Sequence, residues 1–325
     1  MASGDLDPTF RQALKLLHAT SADSTQQLKQ LLYEAIRTRR EWRAQAVSLE
    51  QDEDTHMVAP RDFPMSLAAG YKLGPTLGEG AYGIVYSGHR VRDNLPVAIK
   101  LISDIENVTM DVDEEYGRVP LEVKLLLRAS GVPGVISFLE HFQSLQGLSL
   151  VFERLENAKD LFEFISDRGK LPECVARKIF GQVLISAQGC HDRGILHRDI
   201  KIENILVDTL TLKAKLIDFG CATYLHNKPY HAYQGTLTSA PPKWFLQKTY
   251  KAENLTVWSL GIVLYAMVMG ERLFEKVHDI TRAQLHLEVD LTFECKDIIK
   301  CSLEPKPNRR VTLNDLSQHP WLGVD

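Results

Sequence analysis

The chain has 325 residues, 44% of them hydrophobic and 25% charged, with a formal net charge of -4. That balance suits a soluble protein large enough for two lobes; it excludes a fibre or a low-complexity tail, and it lacks the basic excess of a nucleic-acid binder. The five cysteines, at positions 174, 190, 221, 295 and 301, show no paired spacing and leave one over, the usage expected of a reducing compartment.

The first residues, Met1 to Asp7, show no basic region followed by an apolar core, and Ala2 excludes myristoylation, so no signal peptide or lipid anchor is expected. Within residues 1–49, Asp7 is placed to cap a helix with Pro8 at its first position, followed by Phe10, Leu14 and Leu17 at helical spacing. A second helix is expected from Ser24, with Gln27 completing a capping box. Leu28, Leu31, Leu32, Ala35 and Ile36 form its apolar stripe, and Arg37, Arg39, Arg40 and Arg43 suit the dipole at its end. This helical hairpin reads either as a docking element for a protein partner or as an appendage packed on a lobe. Residues 50–70, with Glu50, Asp52, Glu53, Asp54, Pro60 and Pro64, read as an acidic linker.

From Tyr71 the pattern turns to strands. Gly78-Glu79-Gly80-Ala81-Tyr82-Gly83-Ile84-Val85 has a glycine spacing that also opens dinucleotide-binding helices. Here β-formers follow, Ile84-Val85-Tyr86 and then Val97-Ala98-Ile99-Lys100, so a hairpin is predicted whose glycines let backbone amides close over phosphates. A helix from about Val119 to Ser130 carries Glu122. Val175, Ile179, Val183, Ala187 and Cys190 mark one face of a helix leading to His197-Arg198-Asp199-Ile200-Lys201-Ile202-Glu203-Asn204. Strands at Ile205–Val207 and Ala214–Ile217 flank a turn and deliver Asp218-Phe219-Gly220. The apolar run Val257–Gly270 is shorter than the ~20 residues a bilayer span requires and reads as a buried helix.

Singly, a lysine or glutamate is usually a solvated charge, a glycine a turn residue and an aspartate a cap. Together and in this order, these motifs resemble the catalytic apparatus of protein kinases. The resemblance implies an α+β, bilobal protein kinase fold preceded by the N-terminal helical extension: a small β-rich N-lobe at 71–152, a hinge at 153–157 and a larger helical C-lobe at 158–322. It implies ATP and Mg2+ as cofactors, with Asp199 as the base, Asn204 and Asp218 on the metal, and Lys100 held on the α/β-phosphates by Glu122. Lys201 would contact the γ-phosphate and is typical of Ser/Thr-specific loops; Thr236 would bond near Asp199. His197 and Phe219 would stack with Leu126 into an apolar spine.

Within that fold, Asn94 to Lys100, Arg118 to Val123, Asp160 to Ile165, His197 to Leu206, Leu216 to Gly220 and Val257 to Ile262 resemble the PIM family of Ser/Thr kinases. That resemblance covers the catalytic domain and none of the extension. It implies activity without activation-loop phosphorylation, an extended hinge and substrates with Arg or Lys near the acceptor. By position, the nucleotide site would comprise Leu77, Gly78, Gly80, Gly83, Val85, Ala98, Lys100, Glu153, Leu155, Leu206 and Asp218, with Phe152 as gatekeeper. Asp160, Glu163 and Glu203 would read basic substrates, with Glu271 and Asp279 as weaker candidates; a solvated acidic face is the alternative.

The chain also departs from the family. Leu155 replaces the hinge proline and restores an N–H. Ile202 replaces an aspartate, which weakens the expected basic preference. Lys243 stands where kinases place a glutamate against a buried arginine, here Arg310, so repulsion and local loosening are expected. No acid lies between Gly220 and Gly235 to hold Arg198, and Thr223 is either a phosphorylation site that supplies one or a silent loop residue. Cys221 is either an oxidant-accessible thiol or a small buried filler. Two classes therefore stay open: an active Ser/Thr kinase, and a weak or inactive nucleotide-binding scaffold acting through its N-terminal helices. Protein substrates, a monomer, cytoplasmic or also nuclear location, and no nucleic-acid or membrane partner complete the expectations.

Overall fold

The computed structural model describes residues 65–80, 83–103, 108–113, 117–144, 147–274, 277–282, 285–287 and 290–323. The N-terminal helical hairpin and most of the acidic linker lie outside them. The chain divides into two units at Val58/Ala59, and every described residue belongs to the second.

The last six residues read as linker, Met65–Gly70, form a short helix instead (α1). Its Leu67 is fully buried against Tyr71, Val97, Ile99 and Val151. Burying a leucine is worth about 1.5–3 kcal/mol, which favours docking this piece on the sheet over leaving it free.

That sheet has five antiparallel strands in the order β1 (Tyr71–Gly80), β2 (Gly83–Arg90), β3 (Pro96–Ile102), β7 (Gly147–Glu153), β6 (Phe138–Ser144). Strand alternation divides its residues between two faces. Val97, Ile99 and Val151 pack with α1. Ala98 and Lys100 face the other way, opposite Phe152 and Leu150 on β7 and Ser87 and Val85 on β2. On this second face Leu148 and Leu150 pack against helix α2 (Leu121–Arg128). The helix is shorter than its periodicity suggests, because Val119 and Pro120 belong to β5 (Gly117–Pro120), which pairs with β4 (Met110–Asp113).

The C-lobe surrounds helix α6 (Ala252–Met269), which is buried on nearly all sides and packs against α4 (Glu173–Asp192) and α8 (Phe293–Ser302). By length and composition α6 would suit a membrane, yet 78% of its 18-residue window is buried in the protein, as expected of a core helix. Helix α3 (Leu161–Arg168) starts at Asp160, whose side chain accepts from the Glu163 amide at 2.7 Å. Between the lobes, β8 (Ala158–Asp160), β10 (Ile205–Asp208) and β11 (Ala214–Leu216) form a small sheet, and β9 (Ile195–Leu196) pairs with β12 (Thr223–Tyr224). Thr223 is thus a strand residue opposite Leu196.

The expected clash of Lys243 with Arg310 is not how Arg310 is housed. Its Nε and Nη2 donate to the Glu304 carbonyl at 2.9 and 2.6 Å, its Nη1 to the Asn254 carbonyl at 2.8 Å, and its guanidinium lies 4.8 Å from the Trp258 ring centroid. Carbonyl acceptors replace the missing glutamate. Burial lowers the Arg310 pKa to about 10, still leaving it charged at neutral pH. Lys243, on α5 (Pro242–Gln247), is partly exposed.

Candidate active site

Four elements deliver the polar groups of the interlobe cleft. Lys100 comes from β3, Glu122 from the first turn of α2, Asp199 to Asn204 from the loop after β9, and Asp218 from the turn after β11. Lys100 Nζ lies 2.8 Å from Glu122 Oε1 and 2.9 Å from Asp218 Oδ1. Burial pulls the Lys100 pKa down, but the two carboxylates outweigh it and the net shift is upward, so the ammonium stays charged. Burial raises Glu122, and Asp218 adds to that while Lys100 opposes it. Asp218 also feels burial, yet Lys100 wins and holds it below the usual carboxylate range.

The loop around Asp199 is closed by hydrogen bonds. Asp199 Oδ1 accepts from the Thr236 amide at 2.7 Å, while Oδ2 accepts from Asn204 Nδ2 at 2.9 Å and pairs with Lys201 Nζ at 2.9 Å. Lys201 also donates to Thr236 Oγ1 at 2.7 Å. The Asn204 Nδ2 group donates again to the Asp199 carbonyl at 2.8 Å, so both its protons are committed and its Oδ1 is left as an acceptor. Arg198 and Asp218 adopt left-handed backbone angles, φ 67° and 63°, at a cost of about 1–3 kcal/mol each that the surrounding contacts must hold.

His197 is such a support. Its ring meets Phe219 edge-on at 4.9 Å, and Leu126 shares the Phe219 cluster. With Nε2 3.1 Å from the Ile217 carbonyl and Nδ1 3.4 Å from the Asp199 amide, the ring is placed as a neutral tautomer donating from Nε2. Burial depresses its pKa, and that of His191 and His141 in the same direction. A depressed histidine binds its proton in the unfolded chain first, so stability falls as pH drops below the unfolded value of about 6.5. Urea unfolding at pH 7.5 and 5.5 should show a lower midpoint at pH 5.5, each such histidine contributing at most about 1.4 kcal/mol per pH unit below that value.

Arg198, expected to lack a partner, has three. Its Nε donates to the Cys221 carbonyl, and its Nη2 to the Ala222 carbonyl at 3.3 Å and Gln234 Oε1 at 2.8 Å. Backbone carbonyls and one amide do the work assigned to an acid. Cys221 is buried, its Sγ 3.0 Å from the Gln234 carbonyl, which favours the filler reading over the oxidant-accessible one. An aromatic stack missed in the sequence also fixes this segment: His226, Tyr230 and Tyr250 lie ring on ring at 4.0 and 5.2 Å, with Tyr233 and Trp244 alongside. The signal was there in four tyrosines and a tryptophan between 224 and 250.

On the nucleotide side, Val85, Ala98, Lys100 and Phe152 share the cleft face of the sheet by register. Gly83, at φ 130°, could carry no side chain: a Cβ would sit 2.0 Å from the Leu101 carbonyl oxygen. Gly78 pairs with Val85, so a Cβ there would point into the cleft, where it would meet nothing within 4 Å. That open space suits a phosphate chain. Leu77 is exposed at the cleft edge of β1, Leu206 lies on β10, and Gly80 ends β1. At the hinge, Glu153 turns its carboxylate away to Ser137 and Lys215, the latter at 2.8 Å. The Leu155 amide makes no hydrogen bond among the described residues, while its carbonyl accepts from Ala158.

The donor set also suits a hard divalent cation. Asp218 and the Asn204 Oδ1 are oxygen ligands of the kind Mg2+ takes. Among the described residues no group of three or more His, Cys, Asp or Glu stands ready to hold a metal unaided, so such an ion would complete its shell with phosphate oxygens and water.

Of the residues expected to read basic substrates, Asp160, Glu163 and Glu203 are brought together around β8, α3 and the turn Ile202–Asn204. Burial raises the Asp160 carboxyl, and the Glu163 and Glu203 charges add to it. Asp279 lies 2.9 Å from His278 instead, and Glu271 is exposed. Ile202 turns inward and is buried in the C-lobe core, where the family's aspartate would be costly.

The protein kinase domain family model matches residues 71–322. The chain is 42% identical over 261 residues to serine/threonine-protein kinase pim-2 of Danio rerio, covering 78% of this chain and 84% of that one. It is 38% identical over 256 residues to serine/threonine-protein kinase prk-2 of Caenorhabditis elegans, covering 78% of this chain and 58% of the worm protein. Testis-specific serine/threonine-protein kinase 2 of Mus musculus is 33% identical over 267 residues, or 78% and 73% of the two chains. With that match spanning both lobes and with Lys100, Glu122, Asp199, Asn204 and Asp218 gathered in the cleft, the chain belongs to the protein kinase family as a PIM-like serine/threonine kinase.

Proposed function

We propose that the protein transfers the γ-phosphoryl group of ATP to serine or threonine in basic protein contexts, and does so without phosphorylation of its own activation segment. The carrying observation is the closed network of Asp199, Lys201, Asn204 and Thr236. Phosphoryl transfer asks mainly for positioning and charge neutralisation. Asp199 would accept the acceptor-hydroxyl proton, and Lys201, already on Thr236, would be within reach of the transferring phosphoryl oxygens. Lys100, steered by Glu122, would bind the α/β-phosphates under the glycine hairpin. Magnesium, when bound by Asp218 and Asn204, supplies neutralisation of the phosphate charge.

Independence from phosphorylation is supported by Arg198, whose guanidinium is engaged by the segment's own carbonyls and Gln234, and by the aromatic stack. The scaffold alternative is motivated by Lys243 and by the acid-free activation segment; Arg310 and Arg198, the residues these would leave without a partner, are both hydrogen-bonded. Cytoplasmic or nuclear location remains a proposal supported by the five free cysteines. A positional peptide library assayed with protein verified as unphosphorylated by mass spectrometry tests the proposal. Phosphorylation of Ser/Thr peptides with a preference for Arg or Lys is expected, and activity that appears only after phosphorylation of the segment would count against it.

The Leu155 amide, which makes no hydrogen bond among the described residues, adds a pharmacological expectation. Between matched adenine-mimetic inhibitors with and without an acceptor facing that amide, the acceptor should gain roughly 2- to 10-fold in affinity, and the gain should vanish in Leu155→Pro. Equal binding of the pair to the native protein would contradict it.

A further inference from the structure

Glu203 is not vacant. Arg272 Nη2 donates to Glu203 Oε1 at 2.6 Å, and the Arg272 guanidinium lies 5.0 Å from the Phe162 ring centroid. A carboxylate on one side and an aromatic face on the other is how a protein holds a guanidinium. The pair borders a surface cleft that Lys201 and Thr236 also line, beside the base Asp199. Both side chains keep contact with water, Arg272 at 48% and Glu203 at 32% of full exposure, so an incoming peptide can reach them.

We propose that Arg272 is a specificity-determining residue: it occupies, in place of a substrate arginine, the basic-residue seat formed by Glu203 and Phe162 next to the phosphoacceptor. This rests on the reading that the cleft takes basic protein substrates. A substrate arginine at that seat exchanges one guanidinium for another and gains little. The resident group is also tethered, so it competes at an effective concentration on the order of millimolar against a peptide present at far less. Selection of basic residues therefore falls to Asp160 and Glu163, which no described cation holds by an ion pair or hydrogen bond, although Asp160 spends one oxygen on capping α3. The chain's peptide preference would then show one basic position fewer than its acidic residues suggest.

The test is binding as well as turnover. Fluorescent serine peptides with arginine scanned through each position, and alanine controls, are titrated into the full chain with a non-hydrolysable ATP analogue and Mg2+. The proteins are the native chain, Arg272→Ala, Arg272→Gln and Glu203→Ala/Arg272→Ala. At one position close to the acceptor, arginine over alanine should gain at least about 10-fold in affinity in both single variants and show less than about 2-fold in the native chain and the double variant. An arginine preference at that position already present in the native chain, or unchanged in both single variants, overturns the inference. Gain in binding with no phosphate transfer by any of the four proteins would uphold the seat and reject the kinase reading; transfer with no gain would do the reverse.

Discussion

Asp199→Asn is expected to lower the rate of phosphate transfer to a serine peptide by roughly 10²- to 10⁴-fold, the usual worth of a positioned general base. Affinity for the magnesium nucleotide should stay within about 2-fold, since Lys100, Glu122 and Asp218 form their own cluster. The isosteric amide keeps an acceptor for the Thr236 amide but loses the charge that pairs with Lys201. A combined loss of nucleotide binding and rate would instead mean that Asp199 holds the loop together and is not the base. Single-turnover rates and calorimetric titration with ATP separate the two.

Arg310→Ala should be the most destabilising single change in the C-lobe outside the apolar core. It strips donors from the carbonyls of Glu304 and Asn254, empties a buried site and removes a cation from the Trp258 face. Stranded buried acceptors cost about 1–3 kcal/mol each, so a total of about 3–5 kcal/mol is expected, with a fall in Tm of about 6–20 °C. Lys243→Glu, which restores the residue kinases place there, should change stability by less than about 1 kcal/mol, because Arg310 is already satisfied. A large gain from Lys243→Glu would revive the repulsion inferred from sequence. Thermal and urea unfolding of the two variants decide it.

Why the surroundings of Arg310 are illegible in the sequence while the gathering of the cleft residues is not is a matter of what sequence can encode. Lys100, Glu122, Asp199, Asn204 and Asp218 declare themselves because fixed spacing along strands and a short loop brings them together, and the strand register follows from alternation. The helix at Met65–Gly70 was read as linker because six residues carry too little periodicity, and one leucine meeting a distant sheet decides its state. The partners of Arg198 and Arg310 were illegible for a different reason. All but the Gln234 side chain are backbone carbonyls, present at every residue, so no side-chain pattern announces them. Arg272 escaped notice because it lies 69 positions from Glu203, a pairing that only the folded chain creates.

The central claim proposed for this protein is an intact phosphoryl-transfer site that works without a phosphate added to the activation segment. It is tested most directly by magnesium-dependent incorporation of labelled γ-phosphate into an Arg-containing serine peptide by the unphosphorylated native protein, with Asp199→Asn as the control. Turnover on the order of 1–100 s⁻¹, abolished by EDTA and by Asp199→Asn, is the result predicted. Nucleotide-induced thermal stabilisation with no incorporation above the Asp199→Asn control would contradict it.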